Sequence, residues 1–95
     1  MQKKVVVTGL GALAPNGNSV DHFWSAIESG ISGIAPITYF DASNHRVSIA
    51  GELKEFNPEQ TLDAKEIRKL DPFSNFALVA SDEAIKSSNI NLETI

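Results

Sequence analysis

The chain has 95 residues, 42% of them hydrophobic, which suffices for one small folding unit or a piece of one but not for two independent cores. Eight basic and twelve acidic residues leave a formal net charge of −4, so no global attraction draws it to nucleic acid or an anionic membrane, and an anionic partner needs a local patch. Cysteine is absent, which excludes disulfides, thiolate metal sites and a cysteine nucleophile within these residues.

Lys3 and Lys4 charge the N-terminus, but the apolar run behind them is broken by Thr8, Gly9 and Gly11 and makes neither a signal-peptide core nor a membrane span. A soluble, cytoplasmic protein is expected. Val5-Val6-Val7 is β-branched without polar alternation, the pattern of a strand covered on both faces in a parallel sheet. Pro15-Asn16-Gly17-Asn18 supplies a turn. Ser19 then caps a helix whose apolar face is Val20, Phe23, Trp24 and Ile27, stopped at Gly30. The segment 31–44, with Gly33, Pro36, Tyr39 and Phe40, keeps no period and is expected to be an ordered, packed loop.

Val47, Ile49, Gly51 and Leu53 alternate with Ser48, Ala50 and Glu52, which predicts a second strand with the apolar set on one side. Asn57-Pro58 ends it. Asp63 and Glu66 have capping-box spacing for a short helix carrying Lys65, Arg68 and Lys69. Asp71-Pro72 opens a longer helix with Phe73, Phe76, Ala77, Ala80 and Ala84 on one face, and the small alanines predict close packing against another element. Strand, helix, strand, helix is the opening of a right-handed parallel α/β unit. Two strands leave such a sheet short of neighbours, so a fragment of a larger fold is expected.

Gly9-x-Gly11-x-x-Ala14 after a strand superficially matches a dinucleotide-binding fingerprint. That fingerprint needs a helix N-terminus inside the glycine turn, whereas here the helix waits until Ser19. The acid expected to hold a ribose is also missing: position 29 is Ser, and the next acid is Asp41. Glycines serving tight backbone turns are the simpler expectation. His22 and His45 share no metal-ligand spacing, and no Ser sits in a nucleophile elbow, so no catalytic residue, metal site or cofactor is assigned. Lys65, Arg68 and Lys69 share one helical surface in an acidic chain. By residue type alone they are either a solvated face paired with Asp63 and Glu66 or an anchor for an anionic group.

Several runs taken together resemble the β-ketoacyl-(acyl-carrier-protein) synthases, most closely the type II elongating class. They are Val5-Val6-Val7-Thr8-Gly9-Leu10-Gly11 with Pro15 and Gly17-Asn18, Trp24 before Gly30, and Ser32-Gly33-Ile34. Phe40-Asp41, Ala50-Gly51, Phe56-Asn57 and Arg68-Lys69-Leu70-Asp71-Pro72-Phe73 follow in register. The resemblance spans residues 1–95 and only the opening part of the family's length. It implies an α/β fold, the opening β-α-β-α portion of a thiolase-like five-layered αβαβα architecture, with 1–95 an incomplete part of the N-terminal domain, and a homodimer as the complete protein.

The implied reaction is acyl transfer from acyl carrier protein to a cysteine, then decarboxylative condensation with malonyl carrier protein. The family's cysteine and two histidines lie downstream of this stretch, and neither His22 nor His45 replaces them. By the resemblance, Lys65, Arg68 and Lys69 match positions that meet the acidic acyl carrier protein. Related classes remain open: a cysteine-free chain-length partner, a polyketide ketosynthase, or a non-catalytic carrier- or nucleotide-binding module.

Overall fold

A computed structural model describes residues 2–94. The chain divides into two compact units, residues 12–57 and residues 1–11 with 58–95. Among the described residues the buried apolar side chains are only Ala26 and Ala42, both in the first of these units. So little buried apolar surface cannot nucleate one large core.

In the unit of residues 12–57, Ala14 and Gly17 exchange both backbone hydrogen bonds, at 2.9 and 3.0 Å, across the Pro15-Asn16 turn. Helix α1, Val20–Glu28, follows. Ser19 caps it as its sequence predicts, with Oγ accepting the His22 N–H at 3.2 Å. At its other end Gly30 adopts φ +69°, donating to the Ile27 carbonyl at 3.1 Å while Ile31 donates to that of Ala26 at 2.8 Å. That pair of bonds is a Schellman termination, and glycine reaches the left-handed conformation without a Cβ penalty. The expected apolar face is only partly covered: Ala26 is buried and Phe23 half-buried, but Trp24 stays 58% exposed.

Strands β1, Ala35–Pro36, and β2, Ile49–Ala50, pair antiparallel with Ala35 opposite Ala50. Part of the expected loop is therefore a strand, and the second strand joins it instead of forming a parallel pair with residues 5–7. Along 47–53 the burial does not follow the expected alternation: Ala50, Glu52 and Leu53 are half-buried while Val47, Ser48, Ile49 and Gly51 are exposed, and the Glu52 carboxylate accepts hydrogen bonds from across the hairpin.

In the other unit, residues 5–7 form no sheet, and Val5 is 94% exposed. A strand buried on both faces needs neighbours on each side, and the described residues supply none. The glycines behind it do pack: a Cβ on Gly9 would overlap the Ala84 carbonyl, and one on Gly11 the Ala80 carbonyl. Both carbonyls belong to helix α3, Pro72–Ser88. The small-residue face thus receives another element, as expected, and Gly9 and Gly11 serve close approach instead of the tight turns expected of them.

Helix α2, Ala64–Lys69, precedes α3 and begins at Asp63. The Asp63 carboxylate accepts the Lys65 N–H at 3.5 Å, one position short of the predicted capping-box partner. Asp71 stands at the N-cap of α3 in extended conformation without a side-chain cap bond, and Pro72 takes the first turn, where its missing N–H costs nothing. On α3, Phe76, Ala80 and Ala84 are half-buried while Phe73 and Ala77 remain exposed. Asn89, at φ 57°, ends the helix in the left-handed conformation that asparagine tolerates. Asp82 and Lys86 pair at 2.8 Å one turn apart.

Two outcomes follow from this packing. Gly11→Ala in the complete protein is expected to lower unfolding free energy by ~1–3 kcal/mol through overpacking against the α3 backbone, measured by chemical denaturation. The 95-residue chain alone, with Val5, Trp24, Phe73 and Leu92 exposed, is expected to associate with rising concentration. Sedimentation velocity checks this, and a concentration-independent monomer would contradict it.

Candidate functional site

The basic cluster predicted from sequence lies on α2 and the structure brings all three members together. At 100° per residue, Lys65, Arg68 and Lys69 span an arc of about 100°. Ile67 points the other way and is half-buried, so it roots the helix and leaves all three cations exposed. The 3-10 turn Pro58–Gln60 supports α2 from below, its Pro58 carbonyl accepting Thr61 and Leu62 N–H groups at 3.0 and 2.8 Å. Glu59, Ala64, Ile67 and Arg68 line a hollow of about 270 Å³ beside the cluster.

Asp63 is engaged in capping, and among the described residues no carboxylate forms an ion pair with Lys65, Arg68 or Lys69. Glu66 in the first turn and Arg68 and Lys69 in the last are oriented with the helix dipole. Three exposed cations on a short, backbone-anchored helix can offer charge-assisted hydrogen bonds to carboxylates or phosphate, with Arg68 able to present two parallel N–H groups.

The histidines do not converge on a reaction centre. His22 lies exposed on α1, beside a cleft of about 420 Å³ that Pro15, Asn16, Asn18, Ser32 and Lys54 also line. His45 sits edge-on to Phe40, with ring centroids 5.5 Å apart. Among the described residues no three His, Asp or Glu side chains cluster as metal ligands. No described helix is long and apolar enough to cross a membrane.

Sequence reasoning passed over two charged residues that organise the unit of residues 12–57. The Glu52 carboxylate accepts the Thr38 N–H at 3.0 Å, the Thr38 hydroxyl at 2.9 Å and the Tyr39 N–H at 3.2 Å. Lys54 Nζ donates to the carbonyls of Pro15, Gly33 and Glu52 at 3.0, 2.7 and 3.1 Å. Asn18 Nδ2 in turn donates to the Lys54 carbonyl at 2.7 Å. The only sequence signal was the polar turn at Asn16–Asn18, and nothing in it named a partner 36 residues away.

A family profile described as "Beta-ketoacyl synthase, N-terminal domain" matches residues 2–95. The chain belongs to the β-ketoacyl synthase family. Among similar β-ketoacyl synthases, 3-oxoacyl-(acyl-carrier-protein) synthase 2 of Synechocystis sp. is 45% identical over 89 residues, 94% of this chain and 21% of that protein. The proteins of the same description from Staphylococcus aureus (strain COL) and Coxiella burnetii are 44% and 43% identical, each over 22% of their length and over 95% and 96% of this chain.

A solved structure described as "The ishigamide ketosynthase/chain length factor" superposes with a TM-score of 0.85 at 23% identity, covering 95% of this chain and 22% of that one. The backbone is therefore the opening α/β portion of the thiolase-like fold. The chain spans about a fifth of the length of the β-ketoacyl synthases it matches.

The Glu52 clip carries a pH signature. The hydrogen bond from the Thr38 N–H holds the Glu52 carboxyl below its ordinary value of 4.5 against the next-largest effect, the opposing one of burial, and the Thr38 hydroxyl, the Tyr39 N–H and the positive charge of Lys54 add to the lowering. A carboxylate depressed on folding stabilises the native state above its unfolded-state pKa, and that contribution is lost as pH falls through the lower folded-state pKa. Amide exchange at Thr38 and Tyr39 is therefore expected to accelerate, after correction for intrinsic rates, as pH drops below about 4.5. Glu52→Gln should abolish the transition, which hydrogen-exchange NMR would resolve.

Proposed function

We propose that this chain is the N-terminal portion of a cytoplasmic, homodimeric 3-oxoacyl-(acyl-carrier-protein) synthase of fatty-acid elongation, and that α2 docks the acyl carrier protein. The observation that carries the activity is 45% identity across 94% of the chain to a protein of that description. In the proposed reaction a cysteine thiolate takes the acyl group from carrier-protein thioester, releasing the carrier thiol. Malonyl carrier protein then loses carbon dioxide, and the carbanion left behind attacks the acyl-enzyme carbonyl, forming the new carbon–carbon bond and freeing the thiolate. A nucleophile of this kind needs an activating environment and donors for the oxyanion. The 95 residues contain no cysteine, so the acyl-accepting step belongs to the remainder of such an enzyme.

The part assigned to this segment is recognition. Both substrates arrive on the same acidic carrier protein, and a patch of exposed cations steers such a partner and fixes its register more than it adds affinity. The exposure of Lys65, Arg68 and Lys69 on one helical surface supports that role.

Replacing Arg68 and Lys69 by glutamate in the complete enzyme is expected to raise the apparent KM for carrier-bound substrate roughly three- to tenfold at low ionic strength. The difference should shrink as salt shortens the screening length from about 30 Å to about 8 Å. Turnover of an acyl thioester of a short neutral thiol should be unchanged. Steady-state kinetics on both substrates is the check: an unaltered KM for the carrier-bound substrate would remove the docking role, and equal loss on both would point to general damage.

A further inference from the structure

The surroundings of Lys54 are unusual for a surface-region lysine. Its ammonium faces three backbone carbonyl oxygens, of Pro15, Gly33 and Glu52, at 2.7–3.1 Å. An ammonium has three N–H donors, so its hydrogen-bonding capacity is filled. Among the described residues no carboxylate forms an ion pair with it. The carboxylate of Glu52, two residues away, is occupied by Thr38 and Tyr39.

The oxygens are also held in place independently of the lysine. The Pro15 carbonyl lies in the turn closed by the reciprocal Ala14–Gly17 bonds. Gly33 is packed so closely that a Cβ would approach the Pro15 side chain and carbonyl carbon to 2.6 Å. The Glu52 carbonyl follows β2, and the backbone of Lys54 itself is fixed by the Asn18 amide at 2.7 Å. Next to it Glu55 is held at φ 53°, a conformation that costs a non-glycine residue energy and persists only where the surroundings dictate it.

Three convergent carbonyl dipoles on pre-set backbone make a cation site: the partial negative charges repel one another and need a positive centre between them. We propose that the Pro15, Gly33 and Glu52 carbonyls form a monovalent-cation site of which the Lys54 ammonium is the built-in occupant, and that a free primary ammonium ion takes its place when the side chain is removed. The occupant joins three stretches of chain through one charge. Its loss leaves mutually repelling, partly desolvated carbonyls, which is worse than the loss of ordinary surface hydrogen bonds. The site lies within the unit of residues 12–57 and does not rest on the carrier-docking role.

Lys54→Ala in the complete protein removes three carbons and the nitrogen, the size of propylammonium. The apparent melting temperature is expected to fall by several degrees and to be substantially restored by millimolar n-propylammonium chloride. Tetramethylammonium chloride at equal ionic strength, which has no N–H, should restore little, and wild type should respond to neither. If Lys54→Ala does not fold unaided, refolding yield with each salt gives the same comparison, and Lys54→Gln, which keeps a donor without charge, should lie between wild type and alanine. A melting temperature for Lys54→Ala equal to wild type would overturn the proposal. So would equal rescue by both salts, because screening and not occupation of the carbonyl cage would then be responsible.

Discussion

One ammonium group between three backbone carbonyls holds together the unit formed by residues 12–57. Lys54 draws in the Pro15 turn, the Gly33 bend and its own strand end, spanning as many as 39 residues of chain. Around it the remaining ties are of the same kind. Asn18 reaches the Lys54 carbonyl, Asn16 reaches that of Ile31 at 3.3 Å, and Glu52 collects Thr38 and Tyr39. With Ala26 and Ala42 as its buried apolar side chains among the described residues, this unit is specified largely by side-chain-to-backbone hydrogen bonds. Such bonds give each loop a single position where a thin apolar interior would allow many.

The other unit depends on a contact of the opposite character. Gly9 and Gly11 bring an extended backbone onto the Ala80 and Ala84 carbonyls of α3, a spacing that admits no side chain on either glycine. Close approach of this sort gains dispersion contacts along the whole seam. It also leaves the apolar flanks of the segment, Val5 to Val7, uncovered. Asn75, buried on α3 with no hydrogen-bond partner for its side-chain oxygen among the described residues, is a further group whose surroundings fall short of what burial demands. Exposed valines and an unpaired buried amide are what a portion of a larger α/β fold displays, and the family match over about a fifth of its relatives' length agrees with that.

Against this background the α2 surface stands out for the exposure of its three cations. Elsewhere the prominent charges are spent internally: Lys54 and Glu52 on backbone, Asp63 on a cap, Asp82 on Lys86. Lys65, Arg68 and Lys69 are left facing solvent on a helix fixed by Ile67. That division between charges that build and charges that are presented is the physical basis of the docking role proposed for α2.

The sequence by itself determined where the helices begin, the absence of cysteine and the family. Ser19, Gly30 and Asp63 act through hydrogen bonds within six residues of themselves and Pro72 through its own ring, so their chemistry was readable where they stand. The alanine face of α3 likewise announced a close neighbour through its spacing. The tertiary structure decided what that neighbour was and which of residues 47–53 are half-buried. It also decided that Gly9 and Gly11 serve packing, and that Glu52 and Lys54 are structural centres. Those outcomes rest on contacts between residues 13 to 39 positions apart along the hairpin and clamp, and on an α3 contact spanning still more. A charge that will meet carbonyls so far along the chain has the same local pattern as one that will meet water, and only the folded backbone distinguishes them.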